Sequence, residues 1–184
     1  MSETYILAID PGPVESGWVS LDSAGKLCGF GVDYNHAIRN GMHNADAIAT
    51  TLVIEMVASY GMPVGADVFE TCVQIGRFEQ VWPGNVARVF RREVKLHLCN
   101  SSKAKDSNVR HALMDRYGPG KDRAVGGTKC KACHGKKWRG REHRPCEVCD
   151  ATGWKYPPGP LHGFADDAWQ ALAVGLTYLD QAKT

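Results

Sequence analysis

Apolar runs and alternations divide the chain into elements. Tyr5 to Asp10 (YILAID) is a continuous apolar run stopped by Pro11-Gly12, the mark of a buried strand entering a turn. Gly17 to Gly25 alternates and then turns, and Leu27 to Tyr34 supplies an antiparallel partner, so the first 34 residues predict a three-stranded meander. Thr51 to Met56 (TLVIEM) reads as another buried strand. From Gly65 onward, Val68, Phe69, Cys72, Val73, Ile75, Gly76, Phe78 and Val81 recur at helical spacing and predict one long amphipathic helix. Val94 to Leu98 (VKLHL) reads as a short strand. Ser101 or Ser102 is then placed to cap a helix from about Lys103 to Tyr117, with Val109, Leu113 and Tyr117 facing inward. The pattern breaks from Gly118 to Gly163 and resumes as a helix from Asp166 to Leu179, with Trp169, Leu172, Ala173, Leu176 and Leu179 on one side. The order of strands, helix, strand, helix, insert and helix predicts a mixed α/β domain.

The broken stretch is rich in Gly, Pro, Lys and Arg and contains two close cysteine pairs. A compact domain rarely tolerates so long a structureless loop, and a metal core of its own resolves the conflict. The expected division is a core of residues 1–117 and 163–184 around an insert of residues 118–162. At 184 residues the chain is long enough for one sizeable core and a small satellite. No apolar run approaches the length of a membrane span. The N-terminus lacks the layout of a signal peptide, so a cytoplasmic protein without a membrane partner is expected. Seven cysteines, an odd number with four in two pairs, favour metal over disulfides. Residues 120–155 carry ten Lys or Arg against four Asp or Glu, while the whole chain is only +2. A basic segment on a mildly acidic body suits a phosphate-binding surface, although a solvated charged insert would look the same.

Three acids stand where a structural role is hardest to find. Asp10 ends one buried strand, Glu55 lies within another, and Asp167, beside Asp166, opens the last apolar helix. A buried carboxylate costs several kcal/mol unless paired or metal-bound, roughly, and no Lys or Arg stands near Asp10 or Glu55 in sequence. Asp10 could still be a turn residue and Asp166 or Asp167 a helix cap. If the first and fourth strands are neighbours, Asp10 and Glu55 reach the same sheet edge, and the last helix can bring Asp167 to it. Hard oxygen ligands in that number suit Mg²⁺ or Mn²⁺. Two such ions about 4 Å apart would serve phosphodiester hydrolysis.

The stretch AIDPGPVESGW (Ala8 to Trp18) resembles the opening motif of RuvC-type Holliday-junction resolvases: Asp10, Pro11, Gly12, then Ser16, Gly17 and aromatic Trp18. VIEMVASYGMPVGADVFET (Val53 to Thr71) resembles the phage-encoded branch of that family, and DDAWQALAVGLTYL (Asp166 to Leu179) its C-terminal motif. The resemblance covers about Ile6 to Tyr117 and Gly163 to Leu179. It implies an RNase H-like mixed sheet flanked by helices, and a homodimeric endonuclease that cuts branched DNA with Mg²⁺ in a bacterial or phage-infected cell. Asp10, Glu55 and Asp167 would be its metal ligands, with Asp10 bridging two ions. One position departs from the family, which has a second acid three residues after the first, where this chain has Gln170. Asp166, one helical turn before Gln170, is the alternative fourth ligand.

The cysteines form two CxxC knuckles, Cys130 with Cys133 and Cys146 with Cys149, separated by twelve residues. Thiolates at this spacing suit a closed tetrahedral Zn²⁺ site with a structural role. The knuckles resemble those of DnaJ-type zinc modules, each keeping one of the two glycines, Gly135 and Gly153. Lys136, Lys137, Trp138, Arg139 and Arg141 then form a candidate DNA-binding surface, with Trp138 placed to stack on a base. Lys103 and Lys105 are candidates for backbone phosphate. Flaps, forks or plain duplex remain alternative substrates, and a non-catalytic zinc-containing DNA-binding protein an alternative function.

Overall fold

The structure is a computed structural model that describes residues 5–42, 50–59, 61, 63–140 and 142–183. The chain divides into two compact units, Met1–Val109 with Phe164–Thr184, and Arg110–Gly163.

The first unit is a five-stranded mixed sheet flanked by helices. Its strands are β1 (Tyr5–Asp10), β2 (Glu15–Leu21), β3 (Leu27–Tyr34), β4 (Thr50–Met56) and β5 (Asn85–Phe90), ordered β3-β2-β1-β4-β5. β1, β2 and β3 form the expected antiparallel meander, while β4 and β5 join it in parallel. Successive side chains of a strand face opposite sides. Ile9, Leu52 and Ile54 therefore point to one side, where they pack with Ile38 and Met42 of α1 (Asn35–Met42) and with Ile75 and Phe78 of α2 (Ala66–Val81). Ala8 and Val53 point to the other side, which α6 (Asp166–Gln181) covers. There, a Cβ on Gly175 would sit 2.9 Å from that of Ala8, so the missing side chain lets α6 lie close over β1.

Two elements differ from the sequence expectation. VKLHL is not a strand but the centre of α3 (Arg91–Cys99), in which Val94 alone is buried. The strand lies just before it, at Asn85–Phe90, an edge strand with only Val89 buried, which leaves little apolar alternation to read. The helix α4 (Asp106–Tyr117) begins later than expected, and neither Ser101 nor Ser102 caps it; Ser101 instead accepts from the Lys103 N–H within the preceding turn, at 3.3 Å. On α2, the expected inward stripe is half right: Ile75 and Phe78 are buried, but Phe69, Cys72 and Val73 are exposed, and Thr71 and Gln74 are buried instead.

The second unit holds most of α4, the short α5 (Lys121–Ala124) and two small antiparallel strand pairs. These are β6 (Thr128–Lys129) with β9 (Trp154–Tyr156), and β7 (Trp138–Arg139) with β8 (Arg144–Pro145). Its centre is the four cysteines, all buried. Among the described residues, no helix is long and apolar enough to cross a membrane.

Candidate active site and metal centres

The parallel register of β1 and β4 pairs Ile9 with Ile54, so Asp10 and Glu55 come next, side by side at the C-terminal ends of their strands. Both have the parity of Ala8 and Val53 and point to the α6 side. Across β1, Asp10 is opposite Gly17 of β2. A Cβ on Gly17 would lie 2.3 Å from the carbonyl carbon and oxygen of Asp167, so glycine there lets the first turn of α6 settle directly on the sheet. That close approach delivers Asp167 to the edge that holds Asp10 and Glu55.

The motif around Asp10 is locked from beneath. The Ser16 hydroxyl accepts from the Gly12 N–H at 3.1 Å and donates to Asn35 Oδ1 at 2.6 Å, while Asn35 Nδ2 donates to the Gly12 carbonyl at 3.0 Å. Ser16 and Asn35 are both buried. A Cβ on Gly12 would come within 2.3 Å of the Glu15 carbonyl oxygen. These contacts hold the Pro-Gly turn, and with it the end of β1. Trp18, the aromatic of the motif, packs over Gly29 and Gly31 and donates to Asp33 at 2.7 Å, a structural role.

The acids feel each other. Burial first, and then the charge of Glu55, push the Asp10 carboxyl up to about 8, with Asp167 and Asp106 adding to the rise and Arg91 opposing it. Burial also raises Glu55, against the pull of Arg91. Arg91 Nη1 lies 3.3 Å from Glu55 Oε2 and donates to Gln170 Oε1, while Nη2 donates to Asp106 at 2.7 Å. One guanidinium therefore offsets the cluster only in part. Asp10 and Asp167 line a cleft of about 570 Å³ with the Pro11–Glu15 loop; Asp10, Glu55 and Arg91 line a smaller one of about 230 Å³. The smaller cleft has the volume of several water molecules, enough for a hydrated ion. The side chain of Asp166 lies outside the described residues.

Among solved structures, the chain is similar to Thermus thermophilus RuvC, at a TM-score of 0.57 and 13% identity over 97% of this chain and 95% of that one. It is equally similar to T. thermophilus RuvC in complex with a Holliday junction substrate, at a TM-score of 0.58 and 13% identity over 98% and 95% of the two chains. The fold is that of RuvC. No model of a known protein family matches the chain, and no curated protein matches it.

The donor set at this edge fits a divalent cation on its own chemistry. A carboxyl whose pKa is raised by burial and then by neighbouring carboxylates is short of positive charge, and its hard oxygen donors suit a hard cation. Residues that the sequence did not single out adjoin this acidic edge. Arg91, Arg92, Lys95, Ser102 and Lys103 line a basic cleft of about 510 Å³, which Arg91 shares with the Glu55 cleft. Of the two lysines expected to meet phosphate, Lys103 is in that cleft; Lys105 is exposed at the start of α4. Arg91 escaped notice because its partner Glu55 is 36 residues away. Its one signal is position, directly after an edge strand parallel to the one that carries Glu55.

In the second unit, the four Sγ atoms all lie within 4.8 Å of one another and form a cluster that could hold zinc. Cys130 and Cys146 are 4.0 Å apart, and Cys133 and Cys149 3.8 Å. Gly153 takes a φ of +86° and aims its N–H at Cys149 Sγ at 3.4 Å; Gly135 takes +82° after the other pair. Desolvation works against a thiolate at Cys133, but hydrogen bonds from the backbone of Lys137 and Gly135 prevail and bring its pKa down to about 7. Such amides stabilise the charged form that a metal needs. Lys136, Lys137, Trp138 and Arg139 are all exposed on this unit, with Trp138 tilted against His143 at a centroid distance of 5.5 Å. Arg144 is offset by Glu142 at 2.6 Å. Arg141 lies outside the described residues.

Proposed function

We propose that the protein is a divalent-metal-dependent endonuclease that hydrolyses phosphodiester bonds in branched DNA, with four-way junctions as its main substrate. The observation that carries this reading is the buried Asp10 carboxyl beside Glu55 and Asp167, at the C-terminal ends of adjacent parallel strands in a fold shared with RuvC. The RuvC structure in complex with a Holliday junction substrate supports the choice of DNA. Asp10 would serve two Mg²⁺ or Mn²⁺ ions, and Glu55 and Asp167 one each, with Asp166 as a further donor. Ions so bound would activate water and neutralise charge on the leaving oxygen. The chain's own part is positional. The Ser16–Asn35 lock holds Asp10 in place, and Gly17 seats Asp167. Arg92, Lys95 and Lys103 would hold the DNA backbone beside the acids. Zn²⁺ in the cysteine cluster would stabilise a unit that grips a DNA arm through Lys136, Lys137, Arg139 and Arg141, with Trp138 stacking. The exposed apolar residues Val64, Phe69 and Val73, at and along α2, support a homodimer.

Labelled four-way, flap and linear DNAs incubated with Mg²⁺, Mn²⁺ or EDTA test the proposal. Cleavage of the four-way junction that EDTA abolishes is expected. Asp10→Asn should abolish it too, while leaving junction binding intact. Preference for flaps would reassign the substrate, and tight binding without any nicking would make the protein a non-catalytic binder.

A further inference from the structure

Arg91 sits where two clefts meet. On one side its guanidinium touches Glu55 and Gln170; on the other it lines the basic cleft with Arg92, Lys95 and Lys103. Its side chain is 24% exposed, against 12% for Glu55, so the arginine is the more open of the two to solvent. Its three partners hold it unequally. Asp106 holds Nη2 at 2.7 Å, whereas the Glu55 pairing is long, at 3.3 Å, and Gln170 is a neutral acceptor that adds no charge attraction. Asp106 also has a second partner, Lys95, at 3.4 Å. The guanidinium beside Glu55 Oε2 competes with a cation for that oxygen, and a guanidinium binds phosphate oxygens as readily as those of a carboxylate, in the same forked manner.

We propose that Arg91 is a movable counter-ion that occupies Glu55 until a DNA phosphate in the adjoining basic cleft draws it away, freeing Glu55 for a divalent cation. The proposal rests on the nuclease reading and adds an order to it: DNA first, the ion at Glu55 second. Gln170 fits this role, because a carboxylate at that position would hold the arginine with a full charge and oppose its release. A site arranged in this way withholds its full complement of metal until a backbone lies across it.

The test measures Mn²⁺ affinity by electron paramagnetic resonance on the intact protein without DNA, comparing wild type with Arg91→Met and Arg91→Lys. Arg91→Met should bind Mn²⁺ about tenfold more tightly, the factor expected on releasing one charge-assisted hydrogen bond. Arg91→Lys, which keeps the charge but loses the fork, should fall between the two and carries the test if the methionine variant does not fold. The gain should vanish when Glu55→Gln is added. In EDTA, the salt dependence of four-way junction binding by Arg91→Met should be shallower by about 0.9 in its logarithmic slope, as one phosphate fewer is neutralised. Unchanged Mn²⁺ affinity in both variants, or an unchanged slope, overturns the proposal. A wild type that binds Mn²⁺ no better than Asp10→Asn overturns the metal-site reading beneath it, a result distinct from either.

Discussion

Asp10 is held where its charge is costly. Its carboxyl has an ordinary value of 3.8 and titrates at about 8 in the fold, from burial and from the neighbouring charge of Glu55. Between those two values the folded chain holds a proton that the unfolded chain has released. Its contribution to stability therefore falls as pH rises from about 4 to about 8, and is level above that. In EDTA, Asp10→Asn should gain on the order of 4 kcal/mol on wild type between pH 5 and pH 8.5. Urea unfolding at the two pH values checks this, and an equal difference at both would show that Asp10 is not held in this way. The oddity of Asp10 and Glu55 was legible from the chain, since an acid inside an apolar strand has few structural uses. The lock beneath Asp10 was not legible: Ser16 stood out as a motif residue, but its partner Asn35 lies 19 positions on, at the start of an eight-residue helix too short to stand out beside the strand before it.

Among the elements, α6 and β2 make the closest approach that matters to the site. Gly17→Ala would set a methyl group 2.3 Å from the Asp167 carbonyl, against backbone that has no rotamer with which to yield. The start of α6 must then shift. We expect a loss of about 1–3 kcal/mol of stability by urea denaturation and a fall in junction cleavage larger than any change in junction binding. Equal losses of cleavage and binding would mean that Gly17 supports the fold alone. β1, β2, β4 and α6 could be read from apolar periodicity because each buries a run of apolar side chains. The region after α2 could not. β5 is an edge strand with one buried side chain, and in α3 the run VKLHL buries Val94 while Leu96 is exposed, so strand-like composition lies on a helix. That misreading hid Arg91, the first residue of α3, and with it the basic cleft. The outward face of α2 was misjudged for a related reason: Phe69 and Val73 are apolar, but nothing in the described chain covers them.

At the level of the whole molecule, the two units rest on different forces, and this separates their responses. The sheet unit buries a conventional apolar core, whereas the unit around the cysteines has four sulfurs at its centre. A chelator strong enough to strip Zn²⁺ should unfold Arg110–Gly163 while the sheet unit survives, because binding energy in such modules is folding energy. Limited proteolysis should then cut within that segment alone; cuts spread over both units would show that they depend on each other. Reversing Lys136, Lys137 and Arg139 should weaken DNA binding and flatten its salt dependence by about 0.9 for each phosphate that is no longer neutralised. An unchanged slope would make the unit a staple only. The chain leaves the sheet unit after Val109, three residues beyond Asp106, which Arg91 and Lys95 hold, and returns at Phe164, whose ring stacks on Phe30 at 4.1 Å and leans on Trp169 at 5.2 Å. Both ends of the excursion are thus tied down within the sheet unit. A chain shortened between those two anchors should accordingly keep the five-stranded sheet and the carboxylates set at its rim.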